Sequence, residues 1–207
     1  MPQGGEQLTK GEKTARRILD VAEGLFARHG YEGTSLRMIS EGVQIKEPGL
    51  YNHFSGKQVL YEAVLSRALN PMAEALGQQL DGASGLRDYA DLPSVMTDML
   101  LEHPQIAALF QQALQGDSAS VGNQLVQGWL DKLFTQGMRS MKEMGPPGEN
   151  DAATLAINVI AMFNLTTGYF LSQRAFEHLA GGDMKSSENI AKQKRLLHKV
   201  IRAMLVS

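Results

Sequence analysis

Between Thr34 and Phe54 the chain reads TSLRMISEGVQIKEPGLYNHF, and few folds accept that pattern. Leu36, Ile39 and Val43 recur at the spacing of one helical face, with Thr34 placed where its hydroxyl can cap the helix they define. A tight turn falls around Val43-Gln44-Ile45. A second helix opens near Lys46 or Glu47, with Pro48 in its first turn, where a missing N–H costs little. Leu50 and Phe54 lie four apart and point into the core. The opposite face is left to Pro48, Gly49 and Asn52, with Tyr51 and His53 on its flanks. That face is small at its centre, hydrogen-bonding at its edges and nearly without aliphatics. It can lie close against base edges, where Asn and Lys reach donors and acceptors while Tyr and His reach phosphate oxygens. Two helices so related form a helix-turn-helix, with Lys46 to His53 as the recognition helix.

The flanking sequence supplies a brace and a connector. A first helix is expected over Glu12 to His29, its stripe made by Ala15, Ile18, Ala22, Leu25 and Phe26. Gly30 would end it with a left-handed cap, letting Tyr31 fold back on Phe26. Arg16, Arg17 and Arg28 fall outside the stripe and read as solvated charges. Ser55-Gly56-Lys57 begins a fourth helix, with Leu60, Val64, Ala68 and Leu69 inward. Its N-terminus and the Lys57 ammonium together make a phosphate seat. Pro71 interrupts the apolar rhythm that runs on through Met72, Leu76 and Leu80, and must kink or end the helix. Gly77 to Gly85 reads as a loop or frayed end.

From Leu86 onward helix follows helix with short punctuation, and no period-2 strand or internal repeat interrupts the series. Helices are expected from Asp91 to Glu102, Pro104 to Gln115 and Gly122 to Met144, with a turn at Gly116-Asp117-Ser118 and a loop at Gly145-Pro146-Pro147-Gly148. Asp151 to about Leu179 is apolar nearly all round and must be buried on more than one side. Ser186 to Val206 is two-sided, with Ile190, Leu197, Val200, Ile201 and Met204 opposite Lys192, Arg195, Lys199 and Arg202. The class is all-α.

Composition narrows the chemistry. The net charge is −2, and residues 1–67 hold 9 Lys and Arg against 8 Asp and Glu, so DNA affinity must come from a few placed cations and a dimer. The absence of cysteine removes disulfides, thiol catalysis and Cys-ligated zinc together. His29, His53, His103, His178 and His198 form no metal-binding spacing, and no serine sits in a nucleophile elbow. No catalytic residue, metal or cofactor is expected. The amino terminus lacks the apolar core of a signal peptide, and no later run reads as long and apolar enough to span a bilayer, which makes the cytoplasm the expected location.

The segment Gly30-Tyr31-Glu32-Gly33-Thr34-Ser35-Leu36 through Ile39, followed by Leu50-Tyr51-Asn52-His53-Phe54 and Lys57, resembles the amino-terminal domain of the TetR family of bacterial transcription regulators. The likeness runs from about Thr14 to Leu65 without insertion or deletion. Gln44 stands where the turn commonly has Gly and would have to adopt a left-handed backbone. Lys46 stands where Ser or Thr commonly caps the second helix.

Residues 1–11 are polar and Gly-rich and read as an arm, and the resemblance implies a three-helix helix-turn-helix DNA-binding domain over 12–57. A larger helical ligand-binding and dimerisation domain would follow over 58–207. Lys46, Gly49 and Asn52 are assigned to bases, and Thr34, Ser35, Arg37, Tyr51, His53 and Lys57 to phosphates. Glu47 has the wrong sign for phosphate and can accept from cytosine N4 or favour the helix N-terminus. The resemblance further implies a regulatory pocket for a small apolar effector. Its candidate lining is Met96, Met99, Phe110, Trp129, Phe163, Asn164, Thr167 and Phe170. It also implies a homodimer through the last two helices. The expected function is a repressor released from a double-stranded DNA operator by its effector. The alternatives are an activator, or a helical interaction module, against which Tyr51, His53 and Lys57 argue. An enzyme is the least supported class.

Overall fold

Thr9 and Glu12 begin the first helix with a reciprocal cap. The Glu12 N–H donates to the Thr9 hydroxyl at 3.2 Å, and the Thr9 N–H donates to the Glu12 carboxylate at 2.7 Å. These bonds hold the Glu12 carboxyl below its ordinary value. Helix α1 therefore spans Lys10–Gly33, two residues ahead of the expected start, and shortens the arm. The structure, a computed structural model, describes residues 8–81, 90–115, 119–144 and 151–206. The first seven residues, the Gly116-Asp117-Ser118 turn, the Gly145–Gly148 loop and residues 82–85 of the Gly77–Gly85 stretch lie outside the described residues, while 77–81 are helical where a loop or frayed end was expected.

Gly30, at φ 70° and ψ 177°, breaks the helical path inside α1. The chain turns there, and Tyr31 stacks back on Phe26 with ring centroids 6.1 Å apart. Helix α2 covers Leu36–Val43 and packs on α1 through Gly42, where any Cβ would stand 2.7 Å from Val21 Cγ1. Arg17, exposed as expected, also donates to the Val43 carbonyl at 2.7 Å and closes the far end of α2. Helix α3, Glu47–Tyr51, is one short turn and a half, secured by Leu50 in the core.

Helix α4 covers Lys57–Asp81 and continues through Pro71, so of the two outcomes expected there, a kink or an end, the end does not occur. The exposed ring costs one hydrogen bond to the Arg67 carbonyl, and the buried run Leu69, Met72 and Leu76 holds the helix on either side of it. Arg67 ties α4 to α1, with Nη1 2.6 Å from Asp20 and Nη2 2.5 Å from Glu23.

Beyond α4 come α5 (Leu92–Glu102), α6 (Gln105–Gln115), α7 (Val121–Met144), α8 (Ala152–Leu171), α9 (Gln173–Ala180) and α10 (Ser187–Val206). The single helix expected to reach Leu179 is broken at Ser172, whose φ of −101° and ψ of 19° separate α8 from α9. Among the described residues there is no strand. The buried core is continuous, from Ile18 in α1 through Phe110 and Phe163 to Ile190 in α10.

Helix α8 also corrects the membrane expectation, because by length and composition alone it could cross a bilayer. Leu155, Phe163 and Phe170 bury one side of it against α5, α6, α7 and α10 of the same chain. Thr166 and Thr167, also buried, donate to the carbonyls of Met162 and Phe163, so the packed face carries no free hydroxyl donor.

Candidate nucleic-acid interface

The turn between α2 and α3 is built on one strained residue. Gln44 sits at φ 60° and ψ 43°, as its position in the turn requires, and is the positive-φ residue other than glycine among those described. Its N–H and that of Ile45 then satisfy the carbonyls of Glu41 and Ser40 at 3.1 and 3.0 Å. Lys46 follows as the N-cap of α3 with no side-chain hydrogen bond to the helix. The ammonium is therefore not spent on its own backbone.

Around that turn the outward face is as bare as its residues suggest. Lys46, Glu47, Pro48 and Asn52 are exposed, Gly49 is half-buried, and Tyr51 keeps 50% of its surface in solvent. Helical bonding loosens at Tyr51, and Asn52 and His53 continue as a turn in which His53 and Phe54 both donate to the Leu50 carbonyl. Ser35 caps α2, accepting from the Met38 N–H at 3.2 Å, and remains exposed with its own O–H to donate. Arg37 is 80% exposed and pairs with Glu41 at 2.9 Å, so a phosphate would compete with a carboxylate for it.

Thr34 requires a correction on both counts. It is 1% exposed, and its hydroxyl donates to the Gly30 carbonyl at 2.8 Å with the Leu25 carbonyl 3.2 Å away. It therefore neither caps α2 nor can touch a phosphate; it seals the end of α1. Lys57 opens α4 and is half-buried, its Nζ lying 4.3 Å from the centroid of the Tyr31 ring.

A second site lies some distance along the chain. Leu76, Leu92, Pro93, Met96, Leu133, Phe134, Gly137, Val159, Met162, Phe163 and Thr166 line an apolar cavity of about 70 Å³ between α4, α5, α7 and α8. Of the residues expected there, Met96 and Phe163 line it. Phe110 is buried and spent on core packing, and Trp129, stacked on it at 5.3 Å, is half-buried and lines a different cleft with Leu65 and Leu69. Phe170 and Thr167 are buried away from the cavity, Met99 lines a separate cleft with Pro71 and His103, and Asn164 faces solvent. These six are withdrawn from the lining.

Residues 18–64 match the family model described as bacterial regulatory proteins, tetR family. The matched span covers the whole helix-turn-helix and the start of α4. Over these residues the chain is similar to the TetR family. The transcriptional repressor ComR of Escherichia coli is 44% identical over 76 residues, 34% of this chain and 36% of that one. The transcriptional repressor AcnR of Corynebacterium diphtheriae is 33% identical over 90 residues, 44% of this chain and 41% of that one. The matches thus span about two fifths of the length of these curated relatives. Among solved structures, AibR in complex with isovaleryl coenzyme A and operator DNA superposes with a TM-score of 0.68 at 12% identity, over 90% of this chain and 97% of that one, a likeness of fold.

Within this fold, several cavity residues escaped the sequence. Leu76, Leu133, Val159 and Met162 are ordinary members of helical stripes, and only the crossing of four helices makes them one wall. The sequence carried no signal for that crossing. For Tyr31 a signal existed, since its fold-back on Phe26 is legible, but Lys57 beside it is 26 residues away in the chain.

Proposed function

We propose that this chain is a homodimeric, sequence-specific DNA-binding transcription regulator, a repressor released from its operator by a small apolar ligand. The observation that carries it is the outward face of Lys46, Pro48, Gly49 and Asn52, free of large aliphatics and bordered by exposed Tyr51. Lys46, Gly49 and Asn52 read bases; Ser35, Arg37, Tyr51, His53 and Lys57 hold phosphates. Residues 12–57 act as the DNA-binding part and 58–207 as the ligand-binding and dimerisation part, in the cytoplasm.

The two named relatives are described as repressors, which favours repression over activation. AibR is described with an acyl-coenzyme A and operator DNA, which favours control by a ligand. The apolar lining of the cavity, without a charged side chain, supports an uncharged or alkyl group as the part of the ligand that enters it. Pairing through the last two long helices is supported by Ile157, Ile160 and Leu165 on α8 and Leu196 on α10, all exposed.

The assignment is tested by mobility shift on a duplex selected from a random pool with the unaltered chain. Lys57→Ala should weaken binding to every sequence about equally and lower the salt slope by about 0.9 per lost phosphate contact. Asn52→Ala should instead relax preference at one base position, a cost of about 1–3 kcal/mol. Titrations unchanged by both substitutions would refute the assignment.

A further inference from the structure

Lys57 carries its charge on a flexible four-carbon stem, and something must hold that stem if the ammonium is to meet a phosphate. The Tyr31 ring lies within cation–π reach of Nζ, at 4.3 Å. The ring is itself boxed in, stacked on Phe26 and met edge-on by Tyr61 at 5.1 Å. Burial, with help from the nearby Glu32 and Glu62 carboxylates, raises the Tyr31 phenol above its ordinary value, so the ring stays neutral.

The remaining wall comes from the far part of the chain. Gly122, buried in the first turn of α7, lies so close that an added Cβ would stand 2.5 Å from Tyr31 Cβ, 2.9 Å from Cγ and 3.3 Å from Tyr61 Cε1. Backbone thus meets side chain with no space between, and α7 cannot advance without displacing the ring. Leu133, Phe134 and Gly137 of the same helix wall the apolar cavity. At 1.5 Å per residue, Leu133 is about 16 Å along the axis from Gly122. A second tie runs parallel, as Gln112 of α6 donates to the Ala27 carbonyl of α1 at 2.8 Å.

We propose that Tyr31 is the positioning residue for the Lys57 ammonium, and that Gly122 sets Tyr31, so that the helix walling the cavity governs a phosphate contact on the DNA face. The proposal rests on the assignment of Lys57 to phosphate. Displacement of α7 at the cavity moves the ring and releases the ammonium; a withdrawn α7 and a bulkier residue at 122 act on the same contact.

The full chain and its variants are titrated by fluorescence anisotropy against the selected duplex at several salt concentrations. Tyr31→Leu and Gly122→Ala should each lose roughly three- to tenfold in affinity, the range of one net hydrogen bond, and flatten the salt slope as Lys57→Ala does. Tyr31→Phe, which keeps the ring, should bind as the unaltered chain does. In the Lys57→Ala background neither Tyr31→Leu nor Gly122→Ala should cost anything more. Equal losses with and without Lys57 would overturn the proposal, because the substitutions would then act on the fold. An unchanged salt slope in Tyr31→Leu would overturn it too. Lys57→Ala binding as tightly as the unaltered chain is a separate failure, that of the phosphate assignment beneath. Should Tyr31→Leu lose its helical circular dichroism, the Tyr31→Phe and Gly122→Ala pair still decides.

Discussion

Gln44 concentrates the tension between folding and recognition at a single residue. An L-residue in the left-handed region is disfavoured by about 1–2 kcal/mol, while glycine would add about 0.5–1 kcal/mol of unfolded-state entropy. Gln44→Gly should therefore stabilise the chain by about 0.5–1 kcal/mol, read as a higher urea midpoint with an unchanged slope. A lower midpoint would mean that the Gln44 side chain contributes more than the backbone loses. The left-handed turn and the uncapped Lys46 were both legible from single positions, because backbone chirality and capping are local properties. Thr34 and Ser35 were not separable that way. Two adjacent hydroxyls can each start a helix, and the choice was made by the carbonyls of Leu25 and Gly30, which only the folded end of α1 brings near.

Among the elements, boundaries followed local chemistry closely wherever a glycine or proline decided them, as at Gly30 and at His103-Pro104. Pro71 is the exception. Its ring removes one bond of α4, but Leu69, Met72 and Leu76 all sit in the core, and their burial outweighs the missing hydrogen bond. Pro71→Ala should restore that bond and raise stability by about 2 kcal/mol, since proline inside a helix costs about 3 kcal/mol and stiffening of the unfolded chain returns part of it. Chemical denaturation followed by circular dichroism would show this, and a destabilised Pro71→Ala would contradict it. The break at Ser172 had no such marker. The residues on both sides are good helix formers, and the division appears where α8 leaves the core and α9 buries none of its side chains.

At the scale of the whole molecule, the unmatched feature is the outer side of α8. Ile157 is 65% exposed in a helix otherwise seated among four neighbours, and Leu196 on α10 is 62% exposed. A face of this kind is stable in water when a second copy covers it. Ile157→Glu should convert the proposed dimer to a monomer by light scattering and abolish cooperative binding to a two-fold-symmetric duplex; a dimer that survives would move the interface elsewhere. The need for double burial of this helix was plain from its apolar circumference, whereas the cavity was not, because a void belongs to no single segment.

The unbroken core has a consequence of its own. Ile18, Phe26 and Leu60 beneath the helix-turn-helix share one packed cluster with Met96 and Phe163 of the cavity wall. Cleaving the polypeptide after the third helix would leave raw oily surface on both fragments. The helix-turn-helix part and the cavity part therefore stand or melt together, and neither can be lifted out of this chain as a free-standing fold.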